Sequence, residues 1–384
     1  MNMNDEELLR EFAVARNLKD TTKESYKIYL KEYSTFNQKT IQELLTEAES
    51  EEEQGIRWKH RKLKQRLLKY RTYLYSKHAP STAKTRISKL MSFYKHYEIE
   101  IHQLPPFNNK NNQETHISFK DLPDKDIIKK ALKIANPLMR AMILFMSSSG
   151  CARRETLNLT IADFIEATKQ YHNSEDIYEA LNQLSKLDNV IPSFYLKRQK
   201  TNKFYTTFCS PEAVEEIINY LLSLDYTLEP SQKLFKVNNR HFYVYFTEIN
   251  ERLNLGTVGH HKRFRSHMLR KFHASQLYND GMSLEDVDSL QGRGKDSTHS
   301  SYFMDDPKKL KKKYIEHLDV LTINLDVNNI NIKSPEFVKL EAENREKDEK
   351  IENYEKLIED IDGRLQSLEK RSSVEVRSYD DLWK

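Results

Sequence analysis

Glycine is scarce in this chain, with eight in 384 residues. A phosphate-cradling loop or a dinucleotide fingerprint needs clustered glycines, and neither pattern occurs. Cysteine is scarcer still, at two, Cys151 and Cys209. They provide neither a disulfide framework nor a paired zinc spacing. Histidines His260, His261, His267 and His273 lack acidic or cysteine partners at ligand spacing, so the expectation is no metal and no cofactor. No apolar run approaches the roughly 20 residues of a membrane span, and no signal-peptide pattern opens the chain. A reducing, cytoplasmic setting and no membrane association are expected.

Charge is abundant and unevenly placed. The net charge is +4, but from Pro335 onward 10 basic residues face 15 acidic ones, against 52 basic and 43 acidic before it. A basic body suits a polyanion, and the acidic tail suits something else.

Periodicity makes the chain mainly α-helical with a small β-sheet. Residues 1–103 read as a helical domain. Thr21-Thr22-Lys23-Glu24 suggests a helix start, a second helix spans about Ile56 to Ser76, and a third opens at Ser81 after Pro80. Residues 104–114, with two prolines and four asparagines, read as a linker. Residues 115–326 form a second domain. It contains a buried helix over Leu138–Met146 and a hairpin over Ser193–Cys209. A further helix from His267 to Asn279 stops at Asp280-Gly281, and the next starts at Ser283. Residues 334–372 carry the clearest repeat. Phe337, Asn344, Ile351, Ile358 and Leu365 fall at seven-residue steps, and Leu340, Lys347, Tyr354, Ile361 and Leu368 at the complementary steps. That pattern predicts a coiled coil.

The chemistry is concentrated in His267-Met268-Leu269-Arg270, Gly292-Arg293 and Tyr302. Cleaving a phosphodiester by transesterification builds negative charge on the non-bridging oxygens, so clustered cations help most in the transition state. A nucleophile must attack and an acid must protonate the leaving 5′-oxygen. His267 and Arg270 lie one helical turn apart on one face. Arg293 follows a tight turn and could reach the same cleft. Lys200 sits at the hairpin turn, with Lys197 and Lys203 as rivals.

This ordered series resembles the tyrosine recombinase, or phage integrase, family over about residues 5–320. The family's H-x-L-R box stands here as His267-Met268-Leu269-Arg270. Its next element stands as Leu290-Gln291-Gly292-Arg293, with Tyr302 nine residues later. Arginine at 293, in place of histidine or tryptophan, is similar to integrases of archaeal viruses and plasmids. The resemblance implies a helical core-binding (SAM-like) domain followed by the recombinase catalytic domain. It implies that Arg270 clamps the phosphate, that His267 and Arg293 assist, that Tyr302 forms a 3′-phosphotyrosyl link, and that Lys200 serves as general acid. It further implies a tetramer on double-stranded DNA, in a prokaryotic or virus-encoded setting.

The first family box departs from its pattern. In Ser149-Gly150-Cys151-Ala152-Arg153-Arg154-Glu155-Thr156-Leu157-Asn158-Leu159, the register set by Gly150, Glu155, Leu157 and Leu159 puts Ala152 where the family has arginine. Arg153 or Arg154 could replace it only by a slip that also moves the apolar positions. The expectation is strong impairment, with about 100- to 1000-fold lost in rate and DNA binding retained. A deliberate inactivating substitution explains this better than a natural inactive copy, because every other site residue is present.

Candidate DNA contacts crowd the first domain: Arg57, Lys59, Arg61, Lys62, Lys64, Arg66, Lys69 and Arg71, then Lys84, Arg86 and Lys89. Lys262, Arg263 and Arg265 extend them in the second. Such side chains neutralise phosphates and make affinity salt-dependent. Two rivals to a recombinase are a topoisomerase-like monomeric relaxer and a non-catalytic DNA-bridging protein that uses the coiled coil.

Overall fold

The computed structural model describes residues 4–107, 117–293 and 306–323, together with thirteen positions of one helix between 340 and 364. Two compact units divide the chain, residues Met1–His116 and Ile117–Lys384.

The first unit holds five helices among its described residues: α1 (Asp5–Ala15), α2 (Asp20–Asn37), α3 (Ile41–Glu53), α4 (Lys62–Lys77) and α5 (Pro80–His96). Helices α1 and α3 open with reciprocal capping boxes, Asn4 with Glu7 and Thr40 with Glu43. Helix α2 starts earlier than Thr21, at Asp20, and its N-cap Lys19 makes no side-chain cap bond. The helix expected from Ile56 is divided. A 3-10 turn at Trp58–His60 precedes α4, because Arg61 is extended at φ −63°, ψ 137°. Glu51 of α3 then caps α4 from outside, its carboxylate accepting from the N–H groups of Lys62 and Leu63. A carboxylate there meets both the orphan donors and the positive end of the helix dipole.

Leu63, Leu67, Tyr70 and Leu74 form one buried stripe on α4, the spacing of a single helical face. They join Phe12, Tyr33, Phe93 and Tyr94 in the core. The rings meet edge-on, with Phe12 against Phe93 at 5.2 Å and Tyr33 against Tyr70 at 5.0 Å.

The second unit continues with α6 (Lys125–Ile134), α7 (Pro137–Ser149), α8 (Arg153–Asn158), α9 (Ile161–Thr168) and α10 (Ile177–Ser185). The hairpin β1 (Ser193–Arg198) and β2 (Lys203–Phe208) follows, then α11 (Pro211–Leu222) and α12 (Asn239–Arg252). After a two-residue ribbon, β3 (Thr257–Val258) with β4 (His261–Lys262), come α13 (Ser266–Asn279), α14 (Leu284–Leu290) and α15 (Pro307–Glu316). Helix α7 is the central element. Its last nine residues, Ala141 to Ser149, are apolar or small and all buried, with α11 and α13 packed along it.

The hairpin pairs antiparallel with Phe194 opposite Thr207 and Leu196 opposite Tyr205. Asn202 takes the left-handed turn conformation at φ 58°. The opposite face of the hairpin exposes Tyr195 and Phe204, stacked at 5.1 Å. The fold is therefore mainly helical with small two-stranded sheets, as composition and periodicity imply. Among the described residues no helix is long and apolar enough to cross a membrane.

The described positions of the tail are all helical. Leu340, Ile351, Tyr354, Ile358 and Ile361 lie on it with exposures of 48% to 65%. Phe337, Leu365 and Leu368 lie outside the described residues.

Candidate active site

The site is built around the end of α7. The last carbonyls of a helix have no intrahelical partner, and here side chains from other elements supply them. Thr207 of β2 donates to the Ser149 carbonyl, and Tyr314 of α15 donates to that of Ser148. Gly150 ends the helix at φ 64°. A Cβ there would lie 2.6 Å from the His273 ring, so glycine is required for both conformation and space.

The carbonyl of Gly150 receives Arg270 Nη1 at 2.5 Å. Arg270 Nη2 reaches the Gln291 carbonyl at 2.7 Å. Gln291 in turn fixes α13, its side-chain amide donating to the Arg270 carbonyl at 2.9 Å and meeting His273 Nδ1 at 3.0 Å. The Gly292 turn, at φ 57°, packs so closely on Tyr205 that a Cβ would lie 2.6 Å from its ring. Two glycine turns and one glutamine thus hold a single guanidinium.

Arg270 is 6% exposed. A buried charge ordinarily needs a counter-charge, but its partners among the described residues are carbonyl dipoles. Burial first, then the field of Arg198, lowers its pKa to about 10. It therefore stays charged at neutral pH. Arg198, at the end of β1, donates from Nη1 to the same Gln291 carbonyl at 2.5 Å. Neither Arg198 nor Gln291 was marked by the motifs as a functional residue. Arg198 could have been noticed as the strand residue two before Lys200.

His267 is exposed on α13, one turn before Arg270. Desolvation by the surrounding protein, and then Lys271, Arg265, Arg270 and Arg293, hold its pKa below the ordinary histidine value. Burial, then Arg270 and Arg293, pushes His273 down to about 3, so its ring is neutral at working pH.

Arg293 does not point freely into the cleft. Its guanidinium pairs with Asp288 at 3.0 Å on its own turn, and it stays largely exposed. Lys200 is exposed at the hairpin tip, Lys203 is exposed beside it, and Lys197 lies over the Phe204 ring at 5.4 Å. Ala152 caps α8 without a side-chain bond, while Arg153 and Arg154 are exposed. Glu155 is buried and accepts from the backbone N–H of Gln199 at 3.3 Å, tying the hairpin turn to α8. Tyr302 lies outside the described residues.

The basic residues of the first unit divide into two sets. Arg57, Lys59, Lys62, Lys69 and Lys84 are exposed, with Lys64 and Lys89 half-buried. Lys62 and Lys69 lie two turns apart on one face of α4. Arg61 is enclosed, donating to the Ile56 carbonyl and pairing with Glu52 at 3.3 Å. Arg66 forks onto Glu47, Arg86 pairs with Glu32, and Arg71 binds the Pro105 carbonyl. Lys89 lies over the rings of Tyr26 and Tyr29. In the second unit Lys262 pairs with Glu251, Arg263 binds the carbonyls of Lys120 and Asp121, and Arg265 binds that of Lys262.

An enclosed guanidinium on α13 thus lies beside Arg198 of the hairpin and the glycine turn that ends in Arg293. Residues 124–309 match the family model described as the phage integrase family, and this stretch is a tyrosine recombinase domain. Among solved structures the chain is similar to the Tn1549 transposon integrase in complex with transposon right end DNA, at 11% identity and TM-score 0.47, covering 83% of this chain and 100% of that one. It is similar to the XerH site-specific recombinase bound to its difH substrate as a pre-cleavage complex, at 16% identity and TM-score 0.45, covering 81% and 84%. It is also similar to the XerA recombinase, at 17% identity and TM-score 0.33, covering 82% and 99%. No curated protein matches the chain. The family assignment stands on residues 124–309 rather than on these superpositions.

Proposed function

We propose that this chain is a site-specific recombinase of integrase type that cuts and rejoins duplex DNA. Tyr302 gives up its phenolic proton to solvent and attacks the scissile phosphorus, a Tyr–O–P bond forms, and the bond to the 5′-oxygen breaks. Lys200 gives that oxygen its proton. A 5′-hydroxyl from the partner strand then attacks the phosphotyrosyl link and releases Tyr302, so bond energy is conserved and no nucleotide is consumed. Arg270 binds the non-bridging oxygens, and His267 and Arg293 assist. The observation that carries this reading is Arg270, a guanidinium enclosed yet charged and held by carbonyls, with no carboxylate on it among the described residues. Such a group keeps its positive field for an incoming anion.

Ala152 gives the reading its second part: chemistry slowed, with binding retained. The exposed cations of the first unit, led by Arg57, Lys59, Lys62 and Lys69, supply the grip on the duplex. The exposed stripe on the tail helix supports assembly of protomers on DNA through a coiled coil, and deleting residues 335–384 should lower the oligomer mass on DNA by light scattering. The setting is the interior of a prokaryotic cell, on a chromosome or a virus-borne element.

The test is covalent trapping on a nicked suicide substrate containing a site selected from random DNA. The chain as given, Ala152→Arg, and Ala152→Arg with Tyr302→Phe are compared. An adduct that grows with the restored arginine and vanishes with Tyr302→Phe supports the reading. Specific binding with no adduct from any form would instead favour a DNA-bridging scaffold on a recombinase fold, and activity on single sites without pairing would favour a relaxer.

A further inference from the structure

We infer that Arg198 is a phosphate-binding residue of this site and supplies the second guanidinium that the first box lacks at Ala152. The inference rests on the recombinase reading and deepens it.

The argument begins with position. Arg198 ends β1, and the next residue, Gln199, is pinned through its backbone N–H to Glu155 of the first box. That bond ties the hairpin turn to the helix that follows Ala152. Arg198 Nη1 and Arg270 Nη2 converge on one acceptor, the Gln291 carbonyl, at 2.5 and 2.7 Å. Two like charges so close repel each other, and one shared carbonyl dipole cannot neutralise both. A dianionic transition state between them would.

Two further facts separate a ligand-facing role from a purely structural one. Arg198 Nε is enclosed and makes no hydrogen bond. A buried donor without an acceptor costs about 1–3 kcal/mol, so the free protein holds this guanidinium at a cost. Arg198 also has no salt-bridge partner among the described residues, unlike Arg66 or Arg86. The alternative cations near Ala152 fit less well. Arg153 and Arg154 are exposed and have no bond to the Gly150 or Gln291 turns. Arg293 is held by Asp288.

The chemistry follows from the guanidinium fork. Arg270 and Arg198 would each donate to a non-bridging oxygen as charge accumulates there, the interaction the family obtains from two arginines. Ala152 then marks a relocated cation, and this copy retains measurable chemistry.

The test compares the full chain with Arg198→Ala and Arg198→Lys on suicide substrates carrying either a normal scissile phosphate or a methylphosphonate. The methyl group removes the charge that the arginine would stabilise. On the normal phosphate, Arg198→Ala should form adduct about 100-fold or more slowly, with gel-shift affinity changed less than about threefold. On the methylphosphonate the two proteins should differ by less than tenfold. Ala152→Arg should restore adduct formation in the Arg198→Ala background. Arg198→Lys keeps the charge and the fold, and should fall between.

Equal rates for the chain as given and Arg198→Ala would overturn the inference and leave the recombinase reading intact. Equal slowing on both substrates would also overturn it, since that is what loosening the Gln291 turn would do. Absence of adduct from every protein, including Ala152→Arg, would fail the recombinase reading itself.

Discussion

Two sets of arginines, one in each unit, are held in opposite ways. In the first unit Arg61, Arg66 and Arg86 pair with Glu52, Glu47 and Glu32. In the second, Arg198 and Arg270 share a carbonyl and meet no carboxylate among the described residues. A paired guanidinium fixes geometry and cancels its own field. A guanidinium held by dipoles keeps its field but stores repulsion until an anion arrives. On the proposed reading, the carboxylate-paired arginines are structural and the carbonyl-held pair is poised for phosphate.

The largest effect should come from removing the dipole-held charge. Arg270→Ala is expected to lower adduct formation by about 1000-fold or more, because the transition state loses its enclosed cation. Filter binding at fixed salt should change little, since ground-state affinity comes mostly from the exposed lysines. A parallel collapse of binding and cleavage would show that Arg270 holds the DNA rather than the transition state.

The paired arginines should respond in stability instead. Burial alone would raise the Glu47 pKa, but hydrogen bonds from Lys39 and Arg66 outweigh it and hold the carboxylate below its ordinary value. Glu47→Ala strands both cations and should cost about 1–3 kcal/mol in urea unfolding of the first unit. Adduct formation below the unfolding range should be unchanged. No loss of stability would mean that the pair is solvent-screened and the contrast between units is weaker than stated.

Much of this arrangement was legible in the sequence, and the limits have physical causes. The hairpin register followed from alternation, since Phe194, Leu196, Tyr205 and Thr207 face inward in the pairs that their spacing implies. The H-x-L-R spacing placed His267 and Arg270 on one helix because i and i+3 share a face. Arg198 was harder to read, for the opposite reason. It is a polar strand residue whose meaning comes from Gln291, 93 residues away. Likewise nothing local separates Arg66 from Lys69 on α4. One meets a carboxylate from α3 and the other faces solvent. The outside cap on α4 from Glu51 was unreadable too, because Arg61 carries no capping oxygen of its own.

His273 offers a smaller effect, readable by pH. Its folded pKa of about 3 lies below the ordinary 6.5, so the folded state binds fewer protons than the unfolded one across that window. Its contribution is fully present above about pH 6.5 and is lost as pH falls, by up to about 1.4 kcal/mol per unit. Denaturant unfolding of the second unit should weaken between pH 7 and 5, and His273→Gln should flatten the decline. An unaltered slope in that variant would assign the acid sensitivity to other groups.

The smallest effect belongs to the exposed lysines of the first unit. Each of Lys62 and Lys69 that contacts a phosphate releases counterions, so replacing both with alanine should reduce the slope of log affinity against log salt by roughly two. Affinity at moderate salt should fall severalfold and equally for specific and random DNA, because phosphate contacts carry no sequence information. The rate of adduct formation at saturating protein should not move. Replacing Arg66 in the same helix should leave the salt slope alone while lowering stability, since Glu47 already neutralises it. If instead Arg66→Ala changes the slope as Lys69→Ala does, the carboxylate pairing opens on DNA, and the division between structural and ligand-facing arginines holds only for the free protein.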